Sequence, residues 1–147
     1  MSLRRVVVAL SAVYVLLIAA IVLSPISIGA IVHDQMLEVL AWLNARGAPA
    51  WLDDKAVERT ANVALFVPVG FCVGVVAGAR RWWLGAVAGF VLSCGIECAQ
   101  YALLPGRFAS AWDIVTNTLG ALIGAALALL LLWRAARRDS KPHLTNG

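Results

Sequence analysis

Four apolar stretches, approximately Val6 to Leu23, Asn62 to Ala79, Trp82 to Leu104 and Ile114 to Trp133, are each long enough to cross a bilayer as a helix. A hydrocarbon core about 30 Å thick takes about 20 helical residues. Lipid supplies no partners for backbone N–H and C=O groups, so only helices and closed barrels span it. None of the four stretches shows the turn-punctuated alternation of a barrel strand. The chain therefore reads as all-α, a polytopic membrane protein folded as a bundle of four transmembrane helices. With 62% hydrophobic and 14% charged residues, it lies outside the balance of soluble domains.

Charge gives the orientation. A four-span arrangement puts both termini on one side, and eight of the twelve Lys and Arg residues fall on that side: Arg4, Arg5, Arg80, Arg81, Arg134, Arg137, Arg138 and Lys141. Arg46, Lys55, Arg59 and Arg107 fall in the two opposite loops. The positive-inside rule then makes both termini cytoplasmic. Trp82, Trp83 and Trp133 mark the inner boundary, and Trp51 and Trp112 the outer one. The net charge of +4 reads as topology and attraction to the lipid bilayer, and its pattern does not point to nucleic acid. The first stretch exceeds the usual core of a signal peptide and no clear small-residue cleavage site follows it, so an uncleaved anchor is expected. Residues 1–133 form the expected membrane domain, and residues 134–147 a basic, frayed cytoplasmic tail.

Between the first two spans, Ser24 to Ala61 is the one sizeable extramembrane segment. From Asp34 to Asn44, Met36, Leu37, Leu40 and Leu43 or Ala41 recur at helical spacing opposite Asp34, Gln35, Glu38 and Asn44. This predicts a short amphipathic helix lying along the outer surface. Asp53, Asp54 and Glu58 make the rest of the loop acidic.

Glu97 is the residue that most needs explaining, because a charge at the bilayer centre costs at least about 2.5 kcal/mol. Glycines indicate where it faces. Gly70, Gly74 and Gly78 recur every four residues in the second span, Gly85 and Gly89 in the third, and Gly120 and Gly124 in the fourth. Small residues so spaced let helix backbones approach closely in lipid, and the same ridges offer a route to homo-oligomers. Extended by fours, the rows take in Asn62 and Phe66, Ser93 and Glu97, and Thr116, with Asn117 one position off. At 1.5 Å per residue, Glu97 stands roughly 22 Å above Trp82, near the outer end of its helix. Asn62, Gln100, Arg107, Asp113 and Asn117 belong to that same end, so these six residues are expected to gather in one outward-facing pocket.

Other readings are structural. Ser110 and Asp113 are spaced as a capping pair ahead of the fourth stretch. Pro68 removes a backbone donor and leaves the carbonyl of Ala64 open to another partner. Cys72, Cys94 and Cys98 read as small packing residues, and no spacing suits zinc. Neither a metal nor a cofactor is expected.

Asn62-Val-Ala-Leu-Phe66-Val-Pro68-Val-Gly70, then Ser93-Cys-Gly-Ile-Glu97-Cys-Ala-Gln100, then Arg107, Asp113, Asn117 and Gly120 resemble the VanZ-like family of bacterial membrane proteins. The resemblance covers residues 62–124 in the family's order; the first span and outer loop match only in hydrophobic pattern. Many members carry a further acid between the arginine and the aspartate, where this chain has Ser110 and Trp112, and that departure weighs against a site built from several carboxylates. The resemblance implies a place in the bacterial cytoplasmic membrane and an association with resistance to teicoplanin, a lipidated glycopeptide. Two functions follow. In one, the pocket binds an amphipathic envelope molecule, such as a lipid-linked or lipoglycopeptide ligand. In the other, Glu97 and Asp113 act as intramembrane acid and base on a lipid-linked substrate. The chain lacks the GxSxG and HExxH signatures, and His33 and His143 lie away from the cluster. A transporter is a weaker third reading, since four helices leave little room for a gated path.

Overall fold

Capping signals, rather than hydropathy alone, set the helix boundaries. The computed structural model describes residues 3–22, 28–103 and 110–139, and every regular element among them is an α-helix. They are α1 (Leu3–Val22), α2 (Ile28–Asn44), α3 (Asp54–Ala77), α4 (Leu84–Leu103) and α5 (Ala111–Asp139). The Asp53 side chain accepts the Ala56 N–H at 2.8 Å and starts α3 at Asp54, well ahead of the apolar boundary expected at Asn62. The acidic residues assigned to a loop thus belong to the cap and first turns of a helix, where negative charge complements the helix dipole. Gly78 ends α3 with φ of 81°, a backbone conformation that disfavours side chains, and its N–H returns to the Gly74 carbonyl. It is a cap and not part of the packing ridge.

Two further boundaries differ from expectation. α2 begins at Ile28 and not Asp34, although its Met36–Leu40–Leu43 stripe is the half-buried to buried face predicted, while Leu37 and Ala41 are exposed. α5 continues past Trp133 to Asp139, because the Ala- and Arg-rich sequence that leaves the apolar stretch still favours helix. The frayed tail therefore cannot begin at 134, and residues 140–147 lie outside the described residues.

Among the described residues, three helices are long and apolar enough to cross a membrane: α3, α4 and α5 as far as Arg138. Of the expected first span, residues 6–22 lie in α1, a helix of 20 residues, and Leu23 lies outside the described residues. α1 runs antiparallel to α3, with Val8 near Cys72 and Val76, and the Tyr14 hydroxyl donating to the Leu65 carbonyl at 2.8 Å. That carbonyl is next to the Ala64 carbonyl, the one that Pro68 deprives of its donor.

Glycine brings α3, α4 and α5 to backbone contact. A Cβ added at Gly70 would land on the Ala121 carbonyl, one at Gly120 on the Val63 carbonyl and one at Gly124 on the Val67 carbonyl. These pairs set α3 and α5 parallel. Gly85 lies against Gly70 and Ala125, and Gly89 against Ala121, so α4 runs antiparallel to both. Gly74 lies against Ala125 and Ala128, and these six glycines are all buried within one chain, so association between copies would have to use other faces. Ile18, Phe66, Val69, Ile96 and Ala121 form the core beside the ridges.

Gly70→Ala should lower the unfolding free energy in mixed micelles by about 1–3 kcal/mol, since the added methyl has no space. Gly95→Ala, on an open face of α4 with nothing near its Cβ position, should be neutral or gain up to about 1 kcal/mol from helix propensity. Equal losses at both positions would remove the packing explanation.

Candidate functional site

The register set by the glycines continues into polar pairs at the Asp54 end of α3. In α4 and α5 the sequence of facing residues runs Gly85 with Ala125, Gly89 with Ala121, then Ser93 with Asn117. Asn117 donates through Nδ2 to Ser93 Oγ at 3.0 Å, and the two residues are 5% and 0% exposed. One turn further along α4 comes Glu97, 4% exposed, whose Oε2 accepts the Ser110 backbone N–H at 2.7 Å.

That last bond gives the buried carboxylate a structural role. Ser110 directly precedes α5, and its Oγ accepts the Asp113 N–H at 3.3 Å, so it is the N-cap that the capping spacing predicts. In an ordinary capping box the acid of the third helical residue would return to the N-cap amide. Here Asp113 Oδ1 instead accepts from Asn62 Nδ2 of α3 at 3.0 Å, and Glu97 of α4 takes the amide. One capping motif is thereby shared among three helices. A carboxylate at a helix N-terminus is further stabilised by the partial positive charge there. Arg59 of α3 reinforces the same end by lying over the Trp112 ring, 4.8 Å from its centroid.

Below these bonds the polar column stops. Gly89 meets Ala121 and Phe66, Gly85 meets Gly70 and Ala125, and the next layers are closed at backbone contact. The arrangement is a niche, a cluster of buried and half-buried polar side chains over a closed layer. Among the described residues one buried side-chain polar atom is unsatisfied: Asn117 Oδ1 has no hydrogen-bond partner. An unmet buried acceptor costs about 1–3 kcal/mol. Thr116, also buried, satisfies its hydroxyl locally on the Trp112 carbonyl at 2.9 Å.

Of the six residues expected to converge, Asn62, Glu97, Asp113 and Asn117 each bond across helices or to the start of a helix at this end. Gln100 is half-buried, one turn beyond Glu97 on α4. Arg107 lies outside the described residues. Sequence reasoning placed Ser93 on the Glu97 ridge but did not make it a site residue. Its position one turn before Glu97, antiparallel to Asn117, was the available signal. The spacing marks Ser110 only as a cap, and its amide cannot be paired with Glu97 without the helix register. Among the described residues no group of three His, Cys, Asp or Glu side chains is placed to hold a metal ion, and the three cysteines are free thiols.

The sequence model of the VanZ/LLP1 family matches residues 11–133, which include every residue of the niche. No curated protein and no solved structure matches the chain.

Glu97→Gln keeps an oxygen that can accept the Ser110 N–H, whereas Glu97→Leu leaves that amide unpaired. The leucine variant should be less stable than the glutamine variant by about 1–3 kcal/mol. Hydrogen exchange across the first turn of α5 should accelerate in Glu97→Leu alone; unchanged exchange there would refute the capping role.

Proposed function

Because the chain belongs to the VanZ/LLP1 family, we propose that its niche binds the polar head of an amphipathic cell-envelope molecule at the outer face of the bacterial cytoplasmic membrane. α1 is the fourth crossing in this reading. The positive-inside rule then assigns Arg80, Arg81 and the arginines at the end of α5 to the cytoplasm and the Ser110 end to the exterior. A lipid-linked precursor or a lipoglycopeptide such as teicoplanin has the required chemistry, a hydrogen-bonding head joined to an acyl tail. Glycopeptide tolerance follows from holding such a molecule away from its site of action.

The observation that carries the proposal is the unpartnered Asn117 Oδ1. It calls for a donor, and a hydroxyl or amide N–H of the ligand head supplies one. Asn62 and Gln100 bind polar atoms nearer the rim, Arg107 contacts an anionic group, and the tail lies between helices. Glu97 and Asp113 shape the niche by fixing the start of α5. The alternative of acid–base catalysis by Glu97 and Asp113 is not favoured by a specific observation, since both carboxylates accept helix-positioning hydrogen bonds.

Asn117→Leu is close in size and deletes the open acceptor. It should change thermal stability little, since removal of the open acceptor offsets loss of the bond to Ser93 Oγ, while lowering retention of lipid-linked envelope molecules, read by native mass spectrometry, about tenfold. Cells expressing the wild-type chain should tolerate more teicoplanin than cells with Asn117→Leu at matched membrane levels. Equal retention by both proteins would overturn the binding role. A covalently altered envelope lipid that disappears in a folded Glu97→Gln variant would establish the enzyme instead.

A further inference from the structure

At the opposite end of the bundle, α1, the end of α3 and the start of α4 line an open cleft of about 470 Å³. Among the described residues its walls are Val8 of α1, Cys72, Val73, Val76 and Ala77 of α3, and Leu84 of α4, with Arg81 the charged residue that lines it. The volume falls within the roughly 300–1,000 Å³ of small-molecule sites. Lipid hydrocarbon, not water, is the compatible filler of such walls in a membrane.

Arg81 is held at this position by its backbone. Its N–H donates to the Gly78 carbonyl and its carbonyl accepts the Leu84 N–H, both at 3.0 Å. The positive φ of Gly78 turns the chain out of α3 into that loop. The side chain is exposed, and so is that of Arg80 beside it. Trp82 and Trp83, the aromatic pair suited to the headgroup layer, follow directly. A planar guanidinium at the mouth of an apolar slot matches a phosphate ester joined to an acyl chain.

We infer that this cleft is a binding site for one anionic phospholipid, with an acyl chain against Val73, Val76 and Leu84 and the phosphate on Arg81. Basic pockets between transmembrane helices suit such headgroups. A free phosphate would forgo the apolar walls, and a neutral lipid would forgo net attraction to the arginine. The site is separate from the polar niche and does not depend on what that niche binds or on which side of the membrane either end lies.

The full-length chain, delipidated in detergent, is titrated with phosphatidylglycerol or phosphatidylcholine and followed by native mass spectrometry. One phosphatidylglycerol should be retained about fivefold more strongly, the effect of the roughly 1 kcal/mol one basic residue contributes at an anionic surface. Arg81→Gln should abolish the preference, Arg80→Gln should preserve most of it, and Ala77→Phe, which fills the cleft, should reduce retention of both lipids. A measurement on the unsubstituted chain guards against misfolded variants. Phosphatidylglycerol should slow maleimide labelling of Cys72 severalfold and leave that of exposed Cys98 unchanged. Equal retention of the two lipids by the wild-type chain, an unchanged preference in Arg81→Gln, or no protection of Cys72 would each overturn the assignment.

Discussion

Backbone contact among α3, α4 and α5 governs the rest of the molecule. Helices in lipid gain little from hydrophobic association, so they are held by van der Waals packing and interhelical hydrogen bonds. Six buried glycines permit that approach, and neighbouring carbonyls occupy the space a side chain would need. Contacts this close admit little sliding. Once Gly85 faces Gly70 and Gly124 faces Val67, the alignment of every residue above them is decided.

The polar niche is a consequence of that alignment. Ser93 and Glu97 stand above Gly89 on α4, Asn117 and Asp113 above Ala121 on α5, and Asn62 above Phe66 on α3. Their groups meet because the ridges beneath them meet. Glu97 is tolerated at 4% exposure because it accepts the N-cap amide of α5, and Asp113, released from that duty, ties α5 to α3. The resulting bonds are short and directional, so they add precision to an alignment that packing has already set. Against this background the open acceptor on Asn117 is conspicuous: among the described residues it is the buried side-chain polar atom left without a hydrogen-bond partner.

Much of this was legible in the sequence, for identifiable reasons. Rows at multiples of four share a helix face whatever the tertiary structure, which puts Asn62 and Glu97 on the packing faces, while depth alone assigns Asp113 and Asn117 to the same end. Helix ends were less legible, because hydropathy reports where lipid is and caps report where helices start. Asp53 begins α3 outside the apolar stretch, and the arginine-rich sequence after Trp133 continues α5 beyond it. Gly78 fits the four-residue rhythm of its ridge but serves as a cap, a distinction that only its positive φ makes. The pairing of Glu97 with a backbone amide was also hidden, because amides leave no mark in the sequence. The two ends of the bundle thus differ in kind: one gathers acids and amides over a glycine-sealed floor, and the other opens an apolar cleft beside arginine.

The central claim, that separate helices deliver their polar residues to one place, is tested most directly by cysteine cross-linking in intact membranes. In a chain whose native cysteines are replaced by alanine, cysteines at positions 62 and 113 should be joined by a short bifunctional methanethiosulfonate, since the 3.0 Å bond between the Asn62 and Asp113 side chains puts these positions within its reach. A pair at positions 62 and 119 should not, because Leu119 lies on an exposed face of α5. Efficient cross-linking of the second pair without the first would contradict the account.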